Sequence, residues 1–156
     1  MILDKNLLVS DAQDLAQTNA SYLSDKSIDL WAGNAALPSI PGYGTGKPIA
    51  DIGRGNCPEL LVQVSTPFAT SASGTLQVDL ITATDAALTG SVTVLSSTPV
   101  LAASALVAGY QFRLGGIPAG ITQRYLGLRY VIGTGAMSAG KITAGLVLDR
   151  QSNPLV

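Results

Sequence analysis

RYLGLRYVIGTG, residues 124–135, holds two arginines, two tyrosines and a glycine-rich tail. Three readings compete: a nucleic-acid surface, a phosphate loop, or one wall of a packed sheet. The spacing of its apolar residues decides between them. At a period of two, Leu126, Leu128, Tyr130 and Ile132 share one face, with Arg124 at its edge. Tyr125, Gly127, Arg129 and Val131 share the other. An apolar face of this length is a core strand of a β-sandwich. The arginines flank it or point outward and do not form a basic row. GTGAMSAG (133–140) then reads as a hairpin-type connection into KITAGLVLD (141–149), with glycine supplying positive φ.

The same period recurs from residue 59 onward. ELLVQVS sets Leu60, Val62 and Val64 against Gln63 and Ser65, and TLQVDLIT sets Leu76, Val78 and Leu80 against Gln77 and Asp79. SVTVL alternates Val92 and Val94 with Ser91 and Thr93. LVAGYQFRLG aligns Leu106, Ala108, Tyr110, Phe112 and Leu114, and KITAGLVLD aligns Ile142, Ala144, Leu146 and Leu148. Between these runs lie SASG, ATDAALTG, IPAG and GTGAMSAG, which are turn chemistry. Short alternating strands at this spacing predict an all-β antiparallel sandwich or barrel.

The first third reads differently. Residues 1–55 hold six of the nine aspartates and the run LPSIPGYGTGKP. Pro38, Pro41 and Pro48 with Gly42, Gly44 and Gly46 exclude a regular helix or a central strand there. A long irregular connection is expected, of the kind that is functional or tied to a partner. SDAQDLAQT (10–18) predicts a short helical turn with Ser10 as N-cap. KSIDLW (26–31) predicts a short strand through Ile28 and Leu30. The expected organisation is one domain, 1–156, with a loop-rich N-terminal segment (1–55) and a sandwich core (56–151).

Composition excludes several functions. Only 12% of residues are charged, against about 25% in a typical soluble domain, and the net charge is −1. That balance does not gather nucleic acid. There is no histidine, and Cys57 is the only cysteine, so a Cys–His pair, an internal disulfide and a multi-cysteine metal site are all impossible within the chain. Cys57, before Pro58, reads as a small apolar filler. GYGTGKP lacks the Walker pattern: Pro41 stands at the first glycine position and Pro48 at the Ser/Thr position. Arg54, in GRG, is read as a solvated turn residue rather than an anion contact. Glu59 is the only glutamate, and Asp79, Asp85 and Asp149 fall on polar strand faces or in turns. Solvated carboxylates are expected there, not a glycosidase pair. No catalytic, cofactor or metal site is expected, and the chain is not read as an enzyme.

Charges at Asp4 and Lys5 interrupt the apolar N-terminus, which is not a signal peptide. The run VLAASALVAG (100–109) is about half the ~20 residues that span a bilayer. A soluble protein kept in a reducing compartment is expected. Permanent assembly explains the scarcity of charge, since surfaces that meet another protein shed Lys, Glu and Asp. Trp31 is either a core residue or an interface anchor.

Four stretches carry a resemblance: ILDKNLLVSDAQ (2–13), IGRGNCPELLVQV (52–64), LVAGYQFRLGGIPAGITQRYLGLRY (106–130) and GTGAMSAGKITAGLVLDRQ (133–151). They resemble the small cement, or decoration, proteins of tailed-phage capsids, the family best known from short-tailed bacteriophages. The resemblance runs over nearly the whole chain, with residues 15–48 unaligned. It implies a jelly-roll β-sandwich on the outer surface of the virion, made in the host cytoplasm. It implies as partners the major capsid protein of an expanded HK97-like shell and further copies of the chain, as a homo-oligomer. The chain alone leaves both an edge-paired dimer and a threefold arrangement open, and the resemblance tilts toward the dimer. Segment character, not the resemblance, nominates Leu3, Leu7, Leu8 and Val9 and the loop from Trp31 to Tyr43 as contact regions. The competing reading is a carbohydrate-binding or receptor-adhesion β-sandwich, which the scarcity of clustered aromatics disfavours.

Overall fold

A computed structural model describes residues 4–30, 58–112, 114 and 116–147. Its strands are β1 (Leu8–Asp14), β2 (Ser21–Leu23), β3 (Ile28–Asp29), β4 (Glu59–Thr70), β5 (Thr75–Ala83), β6 (Thr93–Ser97), β7 (Leu101–Ala102), β8 (Tyr125–Gly133) and β9 (Met137–Val147). They form two antiparallel sheets. One has the order β1-β9-β4, and the other β2-β8-β5-β6, with β3 also pairing β8 and β7 also pairing β5.

The alternation in the sequence places the core. Leu76, Val78 and Leu80 of β5 and Leu126, Leu128, Tyr130 and Ile132 of β8 are all buried. They pack in one cluster with Leu60, Val62 and Val64 of β4 and Ile142, Ala144 and Leu146 of β9. Burying a side chain of this size contributes about 1.5–3 kcal/mol relative to exposure. The β5–β8 pairing runs without a break from Thr75↔Gly133 to Ala83↔Tyr125, which sets both inward faces in register.

Residues 133–140 are not a hairpin. β8 and β9 lie in different sheets, as do β4 and β5. β4 pairs with β9 and β5 with β8, so one antiparallel ribbon passes from the first sheet to the second. Its two crossing turns touch. Thr70 Oγ1 donates to the Ala136 carbonyl at 2.8 Å, and a Cβ on Gly135 would meet the Ala72 carbonyl oxygen at 2.2 Å. In the second turn a positive φ falls on Thr134 (65°), mirrored by Ser73 (54°) in the first, while the glycine of 133–140 that supplies one is Gly140 (145°), inside β9. Gly135 is needed instead for close approach of backbone to backbone.

Three further expectations change. Ser10 lies inside β1, paired with Ala144, because the β9 main chain offers residues 8–14 a ladder that outweighs the local capping preference. The described residues of 106–114 do not form a regular strand. Gly109, at φ 84°, breaks the period, so Ala108 is exposed while Leu106, Phe112 and Leu114 are buried. The segment still lines the outer edge of β4: Val64 N–H donates to the Tyr110 carbonyl, Phe112 N–H to Val62, and Phe68 N–H to Leu106. In β6 the inward residue is Leu95, half-buried against the core, while Val92 and Val94 are exposed. A register shift in the β5–β6 pairing accompanies that offset.

The outer face of the β5–β8 pair is also covered. Ile81, Ala83 and Leu88 form a second small cluster with Leu23 and Tyr125. Leu88, held at φ 60°, occupies the space a side chain on Gly127 would need. Asp79 on this face is buried rather than solvated. Arg129 stands directly opposite it in the register and covers it, a pairing that strand alternation alone cannot signal. The N-terminal segment is woven into both sheets as far as residue 30, and Val9, Leu15 and Leu30 join the core.

Candidate functional site

The two flanks of the sandwich differ in chemistry. On the β1–β2–β3 side a chain of polar bonds ties the sheets together. Tyr130 Oη lies 2.7 Å from Ser10 Oγ, which donates to Gln13 Oε1 at 2.6 Å. With the serine proton so placed, the tyrosine donates to the serine. Gln13 Nε2 donates to the Leu23 carbonyl at 2.8 Å, and Lys26 N–H donates to the Val9 carbonyl at 2.9 Å. Burial pushes the Tyr130 phenol far above its ordinary range; the Ser10 bond opposes the shift and the Asp25 charge adds to it. Nearby, Arg124 grips Asp29 through Nε (2.8 Å) and Nη2 (2.6 Å), and its guanidinium lies over the Tyr125 ring. The Asp29 hydrogen bond raises the Arg124 pKa. Exposed Asp11, Asp14, Asp25 and Lys26 make this a charged flank.

The nominated contact residues separate here. Leu3, Trp31 and Tyr43 lie outside the described residues. Leu7 is exposed, Leu8 half-buried and Val9 buried in the core. The Leu7 carbonyl accepts from Leu146 N–H at 3.0 Å. From residue 7 the segment is therefore a docked strand rather than a free arm, and it presents Leu7 outward.

The chain segment along the opposite flank carries no charge. Between Asp85 and Arg113 no residue is ionisable to a charged form at neutral pH. The chain follows β5 as β6, then β7, turns through a 3-10 helix at Ala103–Ala105, and crosses to the edge of β4. Five large hydrophobic residues are exposed among those described, and four lie on this stretch: Val92, Val94, Val100 (59% exposed) and Val107 (58%). β6 pairs with β5 on one side and with no described strand on the other. Sequence reasoning missed these valines because it assigned Val92 and Val94 to the core. The available signal was the long gap in charge, which periodicity does not weigh.

Among the described residues no group of three His, Cys, Asp or Glu stands together to hold a metal ion. No described helix is long and apolar enough to cross a membrane. The flanks are suited to contact with protein: main-chain pairing at a sheet edge and apolar burial beside it.

The molecule is thus an all-β domain of two antiparallel sheets, with one flank charged and tied together by polar bonds and the other formed by an uncharged stretch whose β6 edge meets no described strand. The chain belongs to the Bbp16 family, whose model matches residues 9–146, from β1 to the end of the β9 core face. A comparison with curated proteins finds no match.

Proposed function

We propose that the chain is a capsid cement protein, a homo-oligomer that binds the outside of a phage head and bridges neighbouring major capsid subunits. The observation that carries this reading is the uncharged flank with its exposed valines. A sandwich that exposes valines along an uncharged stretch is suited to lasting contact with protein. The resemblance of residues 2–13, 52–64, 106–130 and 133–151 to cement proteins supports the same reading. The finer fold class, a jelly roll, is supported by the ribbon that passes between the sheets at two touching turns.

The mechanism is summed burial without chemistry. Each contact with a capsid subunit is modest, and an oligomer that engages several at once gains affinity through effective concentration. Binding the expanded shell and not its precursor stabilises the expanded state by mass action. Leu7 and the loop from Trp31 to Tyr43 are the contact regions that this reading assigns to the shell.

Co-sedimentation of the purified chain with expanded and precursor capsids tests the proposal. Saturable binding to the expanded shell alone is expected, reduced by Trp31→Ala or by Leu7→Asp. A chain that ignores both shells and binds a glycan on an array would overturn it in favour of an adhesion module.

A further inference from the structure

We infer that residues 8–30 form a strap that opens and closes as one unit along a flank of the sandwich, with the Tyr130 hydroxyl as its latch. The strap is a property of the chain alone, and only its coupling to a shell rests on the reading above.

Topology sets the strap apart. β1 pairs with β9 in one sheet, and β2 and β3 pair with β8 in the other, so residues 8–30 bridge both sheets. β4, β5, β8 and β9 form their ribbon without them. The strap is also the less regularly paired. The seven residues of β1 run along only five of β9, from Gly145 to Lys141, with two register shifts. Ala12 stands there at φ 48°, and its N–H donates to the Thr143 hydroxyl at 3.1 Å instead of to main chain. β8 has nine unbroken pairs toward β5, but three toward β2 and two toward β3. Of the 24 residues in the main core cluster, the strap supplies three: Val9, Leu15 and Leu30. An element with few buried apolar residues and an interrupted ladder opens at lower cost than the body it covers.

Two sets of bonds make the strap one unit. Within it, Gln13 joins β1 to the turn after β2: Nε2 donates to the Leu23 carbonyl at 2.8 Å, and Oε1 accepts from Asp25 N–H at 3.2 Å. Lys26 N–H donates to the Val9 carbonyl at 2.9 Å. If β1 left β9 while residues 23–26 stayed in place, all three bonds would break. The second set reaches the ribbon. Tyr130, fully buried on β8, bonds Ser10 of the other sheet, and Ser10 bonds Gln13. Closing the strap gives the buried phenol its partner, and opening returns both hydroxyls to water. The contact regions nominated for the shell, Leu7 and the loop from Trp31 to Tyr43, stand at the two ends of the strap in the chain. A shell that holds both ends binds the closed state and lowers the open population by mass action.

Hydrogen exchange in the full chain, without a shell, tests the device. The N–H groups of Leu15 (to Gly140), Ser24 (to Leu128) and Leu30 (to Arg124) each bond the strap to the rest of the fold. After correction for intrinsic rates, the three should share one opening constant, about tenfold or more larger than that of the β5–β8 amides and less steep in urea. Tyr130→Phe should speed all three by about five- to tenfold. Leu106→Val, in the core beside the opposite edge of β4, should speed the β5–β8 amides by about five- to tenfold. It should leave the three strap amides unchanged, because it weakens the ribbon equally with the strap open or closed. Three unrelated opening constants, a shared constant equal to that of the β5–β8 amides, or equal acceleration of both sets by Leu106→Val would overturn the inference. On expanded shells that bind the chain, the three amides should exchange more slowly still. No slowing there would overturn the coupling, whereas failure to bind would overturn the cement reading and leave the strap standing.

Discussion

Removing the Arg129 guanidinium tests the argument about the buried carboxylate on the outer sheet face. The Asp79 side chain is 2% exposed and that of Arg129 is 32% exposed. Asp79 Oδ2 accepts from Arg129 Nε at 3.0 Å and Nη2 at 2.6 Å, and Oδ1 accepts from Gln77 Nε2 at 2.9 Å. Arg129→Met keeps the apolar stem and deletes the charge. Stripping one partner from a fully buried pair costs about 3–5 kcal/mol. Here a third of the arginine reaches water and Gln77 still bonds the carboxylate, so about 2–3 kcal/mol is expected. For a chain of this size that lowers Tm by roughly 5–10 °C. Thermal and urea unfolding, at one fixed protein concentration, measure it. Pairing Arg129→Met with Asp79→Leu removes the stranded charge, and the double variant should lie within about 1 kcal/mol of the parent. A single variant costing less than about 1 kcal/mol, or a double variant worse than the single, would refute the reasoning.

Tyr130 makes stability fall in alkali. Its phenol pKa is raised in the folded state, so both states hold the proton below about pH 10 and the contribution there is complete. Above that the unfolded chain loses the proton while the folded chain keeps it, and stability declines by up to about 1.4 kcal/mol per pH unit. Tyr130→Phe should remove that component of the slope and cost about 1 kcal/mol at neutral pH, read by urea unfolding at several pH values. Gly135→Ala drives a Cβ against the Ala72 carbonyl oxygen where the two crossing turns meet, and should cost about 2–3 kcal/mol. Gly116→Ala, with nothing within 4 Å, should stay within about 0.5 kcal/mol in the same assay. Gly140→Ala combines a φ of 145° with a contact 2.3 Å from the Phe68 ring, and should cost about as much as Gly135→Ala or more.

Period-two alternation was sufficient for the inward faces of β4, β5, β8 and β9, because one face of each is buried and a slip by one residue would expose the whole apolar set. Leu126, Leu128, Tyr130 and Ile132 were readable in that way from twelve residues. Where a positive-φ glycine or a register shift breaks the period, as at Gly109 and within β6, alternation assigned Ala108, Val92 and Val94 to the wrong side. Ser10 was misread for a different reason. A serine before a polar run caps a helix locally, and only a distant β9 backbone makes the strand better. Of the nominated contact residues, Leu7 keeps an outward place and Val9 is spent on the core, since alternate residues of a docked strand face opposite ways.

The sequence by itself determined an all-β chain, its core strands and the scarcity of charge, because these follow from local composition and spacing. Tertiary structure decided which strands pair, that the ribbon crosses between sheets rather than folding back as a hairpin, and that Asp79 meets Arg129. It also gathered the uncharged stretch from Ala86 to Phe112 onto one flank, where β6 pairs with β5 and with no other described strand. Those outcomes depend on contacts between residues far apart in the chain, and no local pattern encodes which distant backbone will supply the partner.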